Sequence, residues 1–213
     1  MRGKFITFEG PEGCGKTTQS KLVMEWLKSK GQDVIWTREP GGTRIGDAIR
    51  ALVLDPEYGE MVDLTEILLL SASRAQHVKE KIVPALEAGK TVLCDRFVDA
   101  TLAYQGRGRG MDWQLLGTLN EIATEGLMPD ITMLIDISPE IGLKRAMEVD
   151  KAEAAAGEAD RFEAAGGDFH RSVRDGYLYL AEHFPERIKV VKSRATVDET
   201  QEEIRRILSD VLF

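Results

Sequence analysis

Cysteine is scarce in this chain of 213 residues: Cys14 and Cys94 are the two present, too few for a disulfide framework or a zinc spacing. Each is expected to fill a small, tight position in a reducing compartment. His77, His170 and His183 show no metal-ligand spacing and fall in charged helical stretches, which predicts solvated faces. No apolar run approaches the roughly 20 residues of a membrane span. The N-terminus passes straight into a strand pattern without a signal-peptide layout, so a cytoplasmic protein is expected. Basic charge is also short: 28 Lys and Arg against 36 Asp and Glu leave a net charge of -8, which argues against a nucleic-acid-binding surface. No internal repeat is visible. What remains, at 43% hydrophobic content, is enough to bury a substantial core, and residues 1–213 are expected to form one domain.

The most informative stretch lies near the N-terminus. An apolar strand, residues 4–9, runs into Gly10, Pro11, Glu12, Gly13, Cys14, Gly15, Lys16, Thr17 and Thr18, and an amphipathic helix follows to Leu27. This G-x-x-x-x-G-K-T spacing between strand and helix is a Walker A loop: glycines let successive N–H groups face one anion, and the helix adds its positive end. Lys16 is expected to reach the β- and γ-phosphates of a nucleotide, and Thr17 to offer its hydroxyl to Mg²⁺.

Further strands are expected at 33–37, 91–95, 131–137 and 188–192, alternating with helices. Such alternation favours parallel strands with right-handed crossovers. The expected fold is α/β: an open, parallel five-stranded sheet of P-loop NTPase type, helices on both faces and ligands above the carboxyl ends of the strands. Glu39, Asp95 and Arg96 gather at that edge. Residues 38–43 break the chain with Pro40 and two glycines, and the bond before Pro40 is open to a cis geometry. A helix is expected over 45–54, with Ile45, Ile49, Leu52 and Val53 on one face. A long one should run from a capping box at Asp63 and Glu66 to about Ala88, broken or kinked at Pro84, with an apolar stripe that begins at Leu64 and Ile67 and is made broad enough for burial by Leu68, Leu69 and Leu70. Residues 99–105 read as a short helix and 106–110 as a loop, in which Arg107 and Arg109 are either solvated or functional. Residues 147–168, rich in Ala, Glu, Asp and Gly, are expected to form a mobile lid.

Three outcomes compete for such a loop: an NTPase switch, a motor-type ATPase and a small-molecule kinase. The chain lacks an Asn-Lys-x-Asp guanine-reading motif and is short for a motor. A kinase needs chiefly a second anion site facing the loop, for which Arg50, Arg74 and Arg96 are candidates. Five ordered blocks sharpen this: residues 8–18, Thr37-Arg-Glu-Pro-Gly-Gly-Thr43, Ser73-Arg-Ala-Gln-His77, Asp95-Arg-Phe97 with Ala103-Tyr-Gln-Gly106, and Asp160-Arg-Phe-Glu163. Together they resemble bacterial thymidylate kinases over essentially the whole chain.

The resemblance implies transfer of the γ-phosphate of ATP to dTMP, with Mg²⁺, usually in a homodimer. It implies that Glu12 meets the acceptor's 3′-hydroxyl, that Arg50 and Arg96 hold the dTMP phosphate, and that Arg74, Thr101 and Gln105 surround the thymine edge. Glu39, Pro40, Leu70 and Phe97 complete the acceptor site, and Tyr104 walls off the sugar 2′ position. Glu39 and Asp95 help to organise the metal, with Thr17 and Asp95 as its protein ligands. Two departures from the family pattern stand out. Leu70 occupies a position where an aromatic ring is common, so base contact would be apolar without stacking unless a ring such as Phe97 compensates. The lid is acidic rather than arginine-rich, leaving Arg145, Lys151 and Arg161 as the candidate transition-state cations. Another nucleoside or nucleotide kinase with different base choice, and a non-catalytic ATP-binding module, are the alternative readings.

Overall fold

The computed structural model describes residues 2–152, 161–162 and 165–212, the side chains of 147–152 excepted. Five parallel strands form one sheet: β1 (Phe5–Glu9), β2 (Val34–Arg38), β3 (Thr91–Asp95), β4 (Ile131–Asp136) and β5 (Ile188–Lys192), in the order β2-β3-β1-β4-β5. β1 lies in the middle, pairing with β3 on one side and β4 on the other. Every residue of β1 is buried, as a central parallel strand requires.

The alternation of side chains along the strands divides the core into two layers. Ile6, Phe8, Leu93, Met133 and Ile135 face helices α1 (Lys16–Ser29) and α9 (Val197–Leu212), meeting Val23, Leu27, Ile204 and Leu208. Phe5, Val92, Cys94 and Leu134 face the other way, toward α4 (Val83–Glu87) and α8 (Gly167–His183). Both thiols are buried, as expected of small residues in tight positions. The helices cover both faces, and the expected α/β architecture is the one observed.

Several local expectations give way. α3 (Asp63–His77) starts at Asp63 itself, with Val62 at the cap and no side-chain cap bond. Glu66 cannot complete a capping box because its side chain is fully buried and bonded elsewhere. Leu64 and Leu68 are 52% and 49% exposed, whereas Ile67 is buried and Leu69 and Leu70 partly buried as expected; the rest of the buried face is polar, with Glu66, Ser73, Arg74 and His77. Ile45 at the start of α2 (Arg44–Leu54) also faces solvent. The long helix continues through a π turn, Val78–Ile82, into α4. The widened turn ends two residues before Pro84, which has no N–H to give the ladder.

The expected 106–110 loop is largely helical: α5 (Val98–Thr101) leads into a π-helical stretch, Leu102–Gly108. A Cβ on Gly108 would lie 2.6 Å from the Phe169 ring, so its bare backbone lets this stretch seat against α8. Arg109 follows and reaches Glu66 at 3.3 Å rather than hanging in solvent. His77 and His170 are buried, against the solvated faces expected of them, and His183 alone of the three is exposed. α6 (Trp113–Thr124) is capped by Asp112. α7 (Pro139–Ala152) takes up the first residues assigned to the lid, and Gly167 and Asp168 already open α8. Most of the remaining lid, like the Lys151 side chain, Asp160 and Glu163, lies outside the described residues.

A polar pillar stitches the sheet to its helices. Arg187, just before β5, grips Asp99 of α5 with two bonds of 2.6 and 2.8 Å and reaches Thr132 of β4 at 2.8 Å, while Thr132 meets Thr7 of β1 at 2.7 Å. Asp99→Ala would leave Arg187 uncompensated. Chemical denaturation should show a loss of about 2–3 kcal/mol, on the low side for a buried pair because Arg187 keeps some contact with water. A loss within experimental error would show that the pillar is not needed for stability.

Candidate active site

The phosphate loop leaves β1 at Gly10 and is pinned from two sides. Gly10 has φ 144°, and a Cβ there would lie 2.3 Å from the Ile135 carbonyl; at Gly13, φ 65°, it would lie 1.9 Å from the Gly142 carbonyl of α7. Only glycine fits either contact. Gly15 precedes α1 in a left-handed conformation with no side-chain cap, so the first amides of the helix keep no protein side chain for a partner. The Lys16 ammonium lies within the loop, on the carbonyls of Pro11 (2.9 Å) and Gly10 (3.2 Å). Thr17 donates its hydroxyl to the Asp95 carboxylate at the end of β3. Gly13, Lys16, Thr17, Thr18, Arg38 and Arg145 line the open cleft outside.

Arg96 joins this loop to the next cavity. Its backbone is left-handed at φ 70°, unusual for a side chain, and it is fixed from both ends: its own N–H bonds Phe8 O at 2.9 Å, and the Phe97 N–H bonds Glu9 Oε1 at 2.7 Å. Its guanidinium is held symmetrically. Nη1 donates to Gly10 O (3.1 Å) and Tyr177 Oη (3.0 Å), and Nη2 to Glu12 Oε1 (2.7 Å) and Tyr104 Oη (2.8 Å). Each tyrosine passes a bond on: Tyr104 donates to Glu12 and Tyr177 to Glu9, both at 2.7 Å.

The two carboxyls at the ends of this chain are driven apart. Burial alone would raise Glu12, but Arg96 and then Lys16 outweigh it and bring it down to about 2. For Glu9, burial and the charge of Asp99 prevail over Arg96 and over the bonds from Tyr177 and Phe97, and push it up to about 8. Desolvation drives both tyrosines well above the ordinary phenol range, so they remain neutral donors.

Beyond Arg96 opens a cavity of about 660 Å³, counting its mouth. Arg50, Leu70, Arg74, Phe97, Thr101 and Gln105 are among its walls. Arg74 is nearly buried and thoroughly held: Nε to Glu39 (2.8 Å), Nη1 to Thr101 (2.8 Å) and Asn120 (2.6 Å), Nη2 to Phe97 O (3.0 Å). Glu39 gives its other oxygen to His77 Nδ1 (3.0 Å), and His77 Nε2 meets Thr37 Oγ1 at 2.7 Å. Burial would raise Glu39, but Arg74 and His77 lower it overall. With both oxygens so engaged, Glu39 acts first as the anchor of Arg74. The peptide bond between Glu39 and Pro40 is cis, and Arg50 Nη1 bonds Pro40 O at 3.1 Å.

Most of the residues singled out from sequence converge on two adjoining spaces, loop cleft and cavity, with Glu12, Glu39, Arg50 and Arg96 lining both. Leu70 and Phe97 both line the cavity, but Phe97 is fully buried and packs edge-on to Phe5 at 4.9 Å. The lid cations separate. Arg145 reaches Ser193 at 3.0 Å beside the loop cleft, whereas Arg161 turns away from the loop to Val53 O (2.9 Å) and Glu66 (3.1 Å). Sequence reasoning missed Glu9, Glu66, His77, Asn120, Phe162 and Tyr177. Glu66, Leu70, Arg74 and His77 recur at helical spacing, a signal that could have placed the polar members on Leu70's face.

Similarity to known proteins agrees with this geometry. The thymidylate kinase family model matches residues 8–204. Thymidylate kinase from Geotalea uraniireducens is 54% identical over 200 residues, 93% of each chain. That from Geobacillus thermodenitrificans is 48% identical over 210 residues, 98% of this chain and 91% of its own. The crystal structure of thymidylate kinase from Ehrlichia chaffeensis superposes with a TM-score of 0.78 at 33% identity, covering 98% of this chain and 99% of that one.

Glu9 gives the site a signature in the stability curve. Its folded value of about 8 lies above the 4.5 of an ordinary glutamate, so the native state binds the extra proton between those limits. Stability should fall as pH rises from about 5 to 8, by at most ~1.4 kcal/mol per pH unit. Glu9→Gln should flatten that slope in denaturation curves taken across the range. An equal slope in both proteins would place Glu9's titration elsewhere.

Proposed function

The chain belongs to the thymidylate kinase family, and on that footing we propose how its own residues divide the transfer of the γ-phosphate of ATP to dTMP, giving dTDP and ADP. The observation that carries the reading is the contiguity of the phosphate loop and the Arg74 cavity through Glu12 and Arg96. A donor bound at the loop and an acceptor in the cavity would meet at that shared wall. Phosphoryl transfer asks for alignment and neutralisation of charge more than for covalent chemistry, and the wall offers both.

In this reading ATP's phosphates lie on the loop amides and Lys16, within the stretch from Gly10 to Thr18. The dTMP phosphate faces Arg50 and Arg96 and the base faces Arg74, Thr101 and Gln105, with Leu70 and Phe97 as its apolar walls. Glu12 stays ionised and, locked to Arg96 and Tyr104, presents an acceptor to the sugar 3′-hydroxyl, while Tyr104 crowds the 2′ position. Arg145 is the described lid cation nearest the transferring phosphate's expected path. Thr17 and Asp95 fit Mg²⁺: they bring two hard oxygen donors together beside the loop, the small protein share suited to an ion that keeps phosphate and water ligands. Bound there, the ion would neutralise charge on the β- and γ-phosphates. Arg38, in the wall of the same cleft, adds cationic charge.

A homodimer in the cytoplasm completes the proposal. Helices α2 and α6 both pack on α3, and the three helices leave Ile45, Leu64, Leu68 and Leu115 exposed, apolar side chains suited to contact with a second copy. Two buried free thiols accord with a reducing compartment.

A coupled assay of ADP release with dTMP, dUMP, dCMP, dGMP and AMP tests the reading. dTMP should be turned over most efficiently, and Lys16→Ala should lower kcat by about 100- to 1000-fold while its melting curve stays near that of the parent. ADP release no faster with any acceptor than with ATP alone would reduce the protein to a binding module.

A further inference from the structure

We infer that Glu66, which does not line the cavity, sets the choice of base by fixing which end of the Gln105 amide is held back and which faces the acceptor. This rests on the reading that the base of the acceptor lies in the Arg74 cavity. Glu66 is fully buried on α3, one turn before Leu70. Its Oε1 accepts from Gln105 Nε2 at 3.0 Å. Its Oε2 takes Arg161 Nη2 at 3.1 Å and Arg109 Nη2 at 3.3 Å.

The orientation of Gln105 follows from chemistry as well as from coordinates. A carboxylate facing two guanidinium groups offers acceptors only, so the amide must turn its NH₂ toward Glu66. The carbonyl is the end then left for the cavity, which Gln105 lines. A fixed acceptor there suits a pyrimidine that carries a hydrogen on N3, as thymine and uracil do. Cytosine has a lone pair on N3, so two acceptors would face each other. Leaving a buried polar group so mismatched is a strong means of rejection. Gln105 itself has little freedom: its side chain is buried and its carbonyl backbone bonds Met111 N at 3.0 Å. Glu66 is thus a positioning residue acting through Gln105, and the arginines secure it.

Glu66→Gln tests this sharply, because the introduced amide would turn its carbonyl toward Arg109 and Arg161 and its NH₂ toward Gln105. Gln105 would then flip and present a donor to the cavity. The ratio of kcat/KM for dTMP over dCMP should fall by about tenfold or more. The ratio for dTMP over dUMP should stay within about twofold, since both bases carry the N3 hydrogen, and general damage to the fold would not separate the two ratios. Glu66→Asp, which keeps the charge for the arginines but shortens the reach to Gln105, should also lower the first ratio and serves if the glutamine variant does not fold. In Gln105→Met, adding Glu66→Gln should change neither ratio further. An unchanged dTMP-to-dCMP ratio in folded Glu66→Gln or Glu66→Asp would overturn the inference while leaving the acceptor site intact. Unmutated protein that used dCMP as well as dTMP would instead overturn the reading of the site, and the inference with it.

Discussion

One guanidinium has to be held still where two anionic ligands are to approach each other, and the Arg96 network is how this fold meets that constraint. A free arginine side chain would lose much rotamer entropy on ordering each time a ligand arrived. Here the four contacts of Nη1 and Nη2 are made in advance to a loop carbonyl, two phenols and Glu12. The partners come from β1 and its loop, from the helical stretch after β3 and from α8, so three parts of the chain must be assembled before the group is fixed. The left-handed backbone at Arg96 belongs to the same device, because it turns the side chain back over the loop while Glu9 holds the next amide.

The two glutamates at the ends of the network play unlike parts because their surroundings differ. Glu12 sits beside Arg96 and Lys16 at the wall of both spaces and remains a carboxylate, able to receive a hydroxyl. Glu9 is wholly enclosed beneath the sheet edge with Asp99 nearby, and its protonation is a property of the core. Burial without a dedicated cation raises a carboxyl; burial against an arginine and a lysine lowers one. Geometry makes Glu39 and Glu66 anchors: each is enclosed, each is met by arginine, and each bonds a polar side chain at the cavity wall.

Local pattern carried the fold a long way. Residues 188–192 and 91–95 coincide with their strands because short apolar runs between turn signals leave little choice, and the loop from Gly10 to Thr18 has a spacing tied to its geometry. Arg74, Arg96 and Gln105 were legible through motifs. Their partners were not, since Tyr177 reaches Glu9 across 168 residues and Arg161 reaches Glu66 across 95, separations on which helical or strand period is silent. Glu66 departs from its local pattern for a related reason: an acid three residues into a helix normally answers the backbone amides, and only the long-range arrival of Arg109 and Arg161 turns it inward. The exposed Leu64 and Leu68 mislead in the opposite sense, because apolar residues on a helix suit a partner's surface as well as the chain's own core.

The most direct measurement of whether Arg96 is held in advance is the steady-state kinetics of Tyr177→Phe. Tyr177 is buried and not part of the cavity wall, yet its hydroxyl links Arg96 to Glu9. If prior fixation of the guanidinium matters, kcat with dTMP should drop by about tenfold while KM for ATP changes little, in keeping with loss of a hydrogen bond to the charged Arg96. Unchanged kcat in the folded variant would contradict the account, and Arg96 would then owe its position to the Gly10 carbonyl, Glu12 and Tyr104.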